Sequence, residues 1–207
     1  MARDRSPIVK QSRREGYALH PKAHKVMAKK STPPGQHGRS RQAKPSLYAT
    51  QLREKQKVRR IYGLLEKQFA KLMKEASRSR GQSGELLLEL LERRLDNAVY
   101  RAGFSTSRRG SRQLVTHGHF MLNGRRVDIP SIRLKVGDEV TLRPKSGNGK
   151  NIYFATIADT IKNTNQQPLS WLKSDPKKIS IKVTGKPTRE EAEDGIDEQL
   201  IVEYYSR

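Results

Sequence analysis

The chain has 207 residues, and its 43 Lys plus Arg against 21 Asp plus Glu give a formal net charge of +22. An excess of that size repels itself in the compact state and implies a polyanionic partner, either nucleic acid or an anionic membrane surface. The lack of cysteine excludes disulfides, a cysteine nucleophile and thiolate zinc sites; no stretch approaches the roughly 20 apolar residues of a spanning helix, and Met1 to Pro7 lack the apolar core of a secretory signal, so a cytosolic protein with small cores is expected.

Residues 1–45 carry Pro7, Pro21, Pro33, Pro34 and Pro45 and no sustained apolar period, which predicts a basic extension rather than a domain. Pro33-Pro34-Gly35-Gln36-His37-Gly38 reads as a tight loop in which Gly35 and Gly38 would let backbone approach a phosphate. A disordered solubilising tail is the alternative on composition. Ser46 then stands where an N-cap should, and a helical pattern runs to about Ser77 with a break at Gly63. Within it, Leu52, Val58, Ile61, Tyr62, Leu65 and Phe69 recur at three-and-four spacing on one face, and Arg53, Lys57 and Arg60 on another. Such a helix can dock by one face and meet a polyanion with the other; a solvated cationic face is the alternative.

Residues 78–84 form a polar linker, after which Leu86, Leu87, Leu90, Leu91, Leu95, Ala98 and Val99 mark a helix ending near Gly103. Thr106 and Ser107 can cap a short helix carrying Arg108, Arg109 and Arg112 beside Leu114 and Val115, with Gly118 at its end. Phe120-Met121-Leu122, Asn123-Gly124 and Arg125-Arg126-Val127 spell strand, type I′ turn and strand. Further strands are expected at 139–143, 152–157 and 178–183, with turns at 136–138 and 147–149, so the fold class is α+β. The last twenty residues are acidic, and Leu200, Ile201, Tyr204 and Tyr205 suit a terminal helix packed on the protein itself, its acids able to face a basic protein neighbour.

Catalytic constellations are missing: there is no Walker loop, no His-Glu-x-x-His and no Gly-x-Ser-x-Gly. His117 and His119 form only a His-x-His without clustered acids, which suits RNA contact or hairpin packing better than a metal. His20, His24 and His37 read as loop histidines in a cationic neighbourhood. Arg94-Leu95-Asp96 resembles the catalytic motif of pseudouridine synthases, but Asn97-Ala98-Val99-Tyr100 continues the leucine helix. Asp96 is therefore expected to be a helix-surface partner for Arg93 or Arg101. Arg108, Arg109, Arg112 and His117, on a short helix followed by a hairpin, make a shaped cationic surface suited to A-form RNA, which is read through backbone and junction geometry. With 6% aromatic residues the chain lacks the stacking platform of a single-strand binder.

Taken in order, Met1-Ala2-Arg3, Arg13-Arg14-Glu15-Gly16, Pro33 to Gly38, Gln51 to Gly63, Arg94-Leu95-Asp96-Asn97, Arg112-Gln113-Leu114-Val115, Leu122-Asn123-Gly124 and Leu200-Ile201-Val202-Glu203 resemble the motifs of the bacterial small-subunit ribosomal protein S four family, over nearly the whole chain. Residues 91–143 are similar to the RNA-binding module named after that family. The resemblance implies a basic extension lying on RNA (1–45), a helical domain (46–90 with 186–207) and an inserted α+β module with following strands and a small mainly antiparallel sheet (91–185). It implies a structural constituent of the small ribosomal subunit, not an enzyme, that binds small-subunit rRNA at a multi-helix junction of the 5′ domain and nucleates assembly. Its implied neighbours are small-subunit proteins three and five and the path by which mRNA enters, with a bearing on translational accuracy, and no membrane.

The RNA-binding residues expected on this reading are Arg13, Arg14, Gly35, Gln36, His37, Gly38, Arg39, Arg41, Lys44, Tyr48, Gln51, Arg53, Lys55, Lys57, Arg59, Arg60, Arg93, Arg94, Arg108, Arg109, Arg112, Gln113, His117 and Asn123. Glu198, Glu203, Tyr204 and Tyr205 are expected at a protein interface. Many members bind zinc through four cysteines, but Val9 and Ser12 stand at the first two matching positions with none downstream, so no zinc and no other cofactor is expected. RNA contacts would then have to order the N-terminal extension. An RNA-modifying enzyme built on the same module, and a regulator binding its own messenger, remain alternatives.

Overall fold

The computed structural model describes residues 4, 6–40, 44–144, 157, 159–161, 169–176 and 178–206. In chain order these form helices α1 (Ile8–Glu15), α2 (Pro21–Lys29), α3 (Leu47–Ile61), α4 (Glu66–Arg78), α5 (Ser83–Glu92), α6 (Leu95–Arg101) and α7 (Arg108–Thr116). Strands β1 (Phe120–Leu122), β2 (Arg125–Val127), β3 (Glu139–Leu142), β4 (Leu172–Asp175) and β5 (Ser180–Val183) follow, and α8 (Glu198–Tyr205) closes the chain. Two units result, Met1–Leu87 with Glu193–Arg207, and Leu88–Ala192, so the boundary falls within α5.

The first unit is helical. Residues without a sustained apolar period nonetheless carry α1 and α2, because their ends are locally satisfied. Gly16 adopts the left-handed conformation that closes α1, Pro21 starts α2 where a missing N–H costs nothing, and His20 Nδ1 accepts from the Lys22 amide at 3.1 Å. Ser46 Oγ caps α3 by accepting from the Ala49 amide at 3.2 Å, and the break at Gly63 occurs with φ 64. The buried face of α4, Phe69, Leu72, Met73 and Ala76, keeps helical spacing, as do Val58 and Ile61 of α3. Asp197 Oδ1 caps α8 through the Gln199 and Leu200 amides, and α8 packs along α3 with Ile201 buried.

The second unit sets α6 and α7 with a five-stranded, wholly antiparallel sheet of order β2-β1-β3-β5-β4. Leu95, Ala98, Val99, Val115, Phe120, Val140, Trp171, Ile181 and Val183 form its core, and Phe104 stacks on Phe120 at 6.3 Å. Asn123 (φ 48) and Gly124 (φ 79) make the tight turn expected between β1 and β2.

Two expectations change, and a third lies largely outside the described residues. The single leucine helix is two, because the Arg93–Leu95 backbone leaves the helix to pair with 132–134: Leu95 N donates to Ile132 O at 2.8 Å, Leu134 N to Arg93 O at 2.9 Å, and Arg94 bridges Arg133. β4 has only one apolar residue, so no alternation betrays it; pairing with β5 makes it a strand. Of the strand expected at 152–157 and the turn at 147–149, only Ile157 lies within the described residues, and it is buried in the core.

Docking of α8 has a defined pH dependence. Burial alone would raise the Glu66 pKa, but hydrogen bonds from Lys55 and Tyr205 and the charges of Lys55 and Arg59 bring it below its ordinary 4.5. Burial, then Glu66, raises Tyr205 far above its ordinary 10.0. A lowered carboxylate stabilises the fold above its unfolded pKa and loses that contribution as pH falls through the folded one; a raised tyrosine stabilises the fold below its unfolded pKa and loses it on the alkaline side. Urea titrations across pH should show Glu66→Gln removing part of the stability decline below 4.5, and Tyr205→Phe removing part of the decline above 10.0.

Candidate nucleic-acid interface

In the first unit, the cations of α3 serve two purposes. Arg53 and Arg60 both donate to Glu15 Oε1, the former at 3.3 Å, and the Glu15 side chain is fully buried. Burial raises the Glu15 pKa in spite of Arg60, Arg53 and Arg14 around it. Lys57 meets Glu54 at 2.8 Å and the Gly195 carbonyl at 2.6 Å, and Arg59 holds Gln56 and the Leu64 carbonyl. The helix face carrying Arg53, Lys57 and Arg60, expected to point outward, is therefore partly covered by α1 and the segment before α8.

Two further members of the predicted set sit inside. Lys55 is 3% exposed, donates to Glu66 Oε1 at 2.8 Å and lies 4.6 Å from the Tyr204 ring centroid. Gln51 Nε2 donates to Glu203 Oε2 at 2.8 Å, and Tyr205 OH donates to Glu66 Oε1 at 2.8 Å. Three residues expected at a partner surface thus seat α8 on the protein itself, Glu203 and Tyr204 against α3 and Tyr205 against Glu66 and Phe69 of α4, and the fourth, Glu198, packs on Gly84.

The Pro-rich loop is organised from α1. Arg13 donates to the Thr32 and Pro33 carbonyls and Arg14 to the Pro34 carbonyl. A Cβ at Gly38 would collide with the Pro33 carbonyl oxygen, so that glycine serves the loop's own closure. Gly35 differs: its φ of 114 requires glycine, and the space where a Cβ would point is open. Gln36, His37, Arg39, Lys44 and Tyr48 are exposed. Arg41 lies outside the described residues.

In the second unit, acids sort the arginines into two roles. Asp96, expected on a helix surface beside Arg93 or Arg101, is buried and belongs to Arg94 and Arg112. Arg94 binds it in bidentate fashion, Nε to Oδ1 at 3.0 Å and Nη2 to Oδ2 at 2.8 Å, and Arg112 Nη1 reaches Oδ2 at 3.4 Å. Arg101 binds Glu92 through two bonds at 2.9 and 2.8 Å, Asn97 donates to the same carboxylate at 2.7 Å, and Arg108 donates to Asn97 Oδ1 at 2.9 Å while its guanidinium lies over Tyr100. Arg93 pairs with Glu89.

With those arginines turned inward, Arg109, Gln113 and His117 form the exposed row of α7 at i, i+4 and i+8. Asn123 is exposed, but its amide ties the hairpin to β3 through Asp138 and the Glu139 backbone. Arg126, outside the predicted set, lies beside this row: a Cβ at Gly118 would come within 2.7 Å of its Nε. Only the sheet pairing brings Arg126 there. A second omission is the cationic face of α4, whose signal was the spacing of Lys67, Lys71, Lys74 and Arg78. Among the described residues no group of His, Asp and Glu is disposed to hold a metal ion.

Two adjoining family models match residues 3–140: the ribosomal protein S4/S9 N-terminal domain over residues 3–92, and the S4 domain over residues 93–140. They define the class, a ribosomal protein carrying an RNA-binding S4 module. Similar proteins are the small ribosomal subunit protein uS4 of Roseiflexus sp. (strain RS-1), 47% identical over 208 residues, of Chloroflexus aurantiacus, 48% over 209, and of Chlorobaculum tepidum, 47% over 208. In each case 100% of both chains is covered. The chain belongs to the uS4 family of small ribosomal subunit proteins, which are structural proteins of translation rather than enzymes.

Removing Asp96 leaves Arg94 and Arg112 buried without a counter-charge. Asp96→Ala should therefore destabilise the protein by about 3–5 kcal/mol, and Asp96→Asn by less. Denaturant unfolding measures this, and a loss below about 1 kcal/mol would contradict a buried role.

Proposed function

We propose that the chain is a structural constituent of the small ribosomal subunit that binds small-subunit rRNA directly, at a multi-helix junction of the 5′ domain, and nucleates assembly there. The observation that carries this reading is the exposed row Arg109, Gln113 and His117, held in register by buried arginine–carboxylate pairs within an S4 module. A chain of net charge +22 supplies the phosphate-neutralising excess such binding needs. Arg39, Lys44 and Tyr48 extend the contact surface from the first unit, with Gly35, Gln36 and His37 offering loop backbone and side chains. Arg53, Arg60, Lys57 and Arg59 contribute through the edges their internal partners leave exposed, whereas Lys55, Gln51, Arg94 and Arg112 act by shaping the surface.

Small-subunit proteins three and five are the proposed protein neighbours, with the group lining the path by which mRNA enters and bearing on translational accuracy. Exposed Asp194, in the acidic segment before α8, supports a basic protein neighbour there. A cytoplasmic location follows from the ribosomal role; among the described residues no helix is long and apolar enough to cross a membrane. The RNA-modifying alternative has nothing to use at Asp96, whose carboxylate is already held by two guanidinium groups.

Neutralising Arg39, Lys44 and Arg109 together to Gln should lower the log–log salt slope of binding to 5′-domain RNA by roughly 2–3 units, taking about 0.7–0.9 per lost contact. Filter binding at several salt concentrations measures it; an unchanged slope refutes these contacts. Crosslinking within purified small subunits tests the junction and the two protein neighbours.

A further inference from the structure

α4 has a face that the contacts proposed above do not use. Lys67, Lys71, Lys74 and Arg78 stand at i, i+4, i+7 and i+11, and all four are exposed. At 3.6 residues per turn they fall within about 60° of one another around the axis, in a row about 16 Å long. The opposite side holds Phe69, Leu72, Met73 and Ala76, all buried, so packing fixes which way the row points. Among the described residues none of the four makes an ion pair or a side-chain hydrogen bond. Of the two acids on the helix, Glu66 is committed to Lys55 and Tyr205, and Glu75 lies on the flank of the row, outside it. Arg80, exposed beyond the helix end, continues the charge.

Like charges at i,i+4 spacing destabilise a helix by a few tenths of a kcal/mol per pair. Four cations with the single flanking acid Glu75, at i+4 from Lys71, keep a net repulsion that an external anion relieves. The anion must be extended and regularly charged to meet all four at once, and the phosphate backbone of a duplex is such a rod. Lysine, a flexible point charge, suits phosphate oxygens without demanding one geometry.

We propose that this row is a second RNA-docking face, seating α4 along the phosphate backbone of an rRNA duplex. The proposal rests on the rRNA-binding reading above. It makes α4 a reader of charge and shape, with the sequence of the duplex immaterial.

The absence of cysteine lets a single introduced thiol carry a tethered iron chelate at one known place. Full-length Lys71→Cys and Thr106→Cys proteins, each so labelled and bound to 5′-domain RNA, should both cleave it, with the position-71 cuts paired across one groove. Cuts from position 106 with none from position 71 overturn the α4 proposal and leave RNA binding intact. No saturable binding by the unmodified protein overturns both. Independently, Lys67→Gln/Lys71→Gln/Lys74→Gln/Arg78→Gln, substitutions that keep helix propensity, should lower the salt slope by about 3 units, at about 0.7–0.9 per contact. Unchanged helicity with an unchanged slope refutes the face, as does photocrosslinking of position 71 to protein instead of RNA in assembled subunits.

Discussion

A charge removed from water must meet its opposite, and in the second unit that requirement organises everything around Asp96. Its carboxylate takes two bonds from Arg94 and one from Arg112, which joins the start of α6 to α7. Glu92 does the same one turn earlier, gathering Arg101 and Asn97, and through Asn97 reaching Arg108. With both carboxylates satisfied, α7 has only one orientation that keeps Val115 in the core and Arg112 on Asp96. The row Arg109, Gln113 and His117 is what that orientation leaves outside.

The first unit repeats the device with other acids. Glu15 collects Arg53 and Arg60 from α3, and Glu66 collects Lys55 and Tyr205. The Glu66 carboxylate is half exposed, whereas that of Glu15 is buried; buried pairs add little net stability, because desolvation offsets much of the attraction, but breaking one is expensive. Their effect is to determine which cations face inward and which are left for a polyanion. In a chain of net charge +22, external charge then collects along α7, where buried carboxylates turn the other arginines inward, and, by apolar packing and backbone contacts, along α4 and around the loop at Gly35.

Apolar periodicity and turn chemistry carried the local structure. The cap at Ser46, the break at Gly63, the cap at Ser107 and the Asn123-Gly124 turn are each decided by residues adjacent in sequence, so each was legible. β4 was not, since Leu172-Lys173-Ser174-Asp175 becomes a strand only through β5. The split between α5 and α6 was equally hidden, because the backbone partners of Arg93 and Leu95 lie near residues 132–134.

Taken alone, the sequence determined the fold class, the absence of thiol chemistry and the need for a polyanionic partner, because composition and short-range spacing suffice for these. It could not rank the cations. Arg108, Arg109 and Arg112 look alike in one dimension, yet Arg112 is locked on Asp96, Arg108 on Asn97, and Arg109 faces outward. Only tertiary structure decided that division, since it depends on which carboxylates the packing of α6 and α7 carries out of water and which arginines lie close enough to follow.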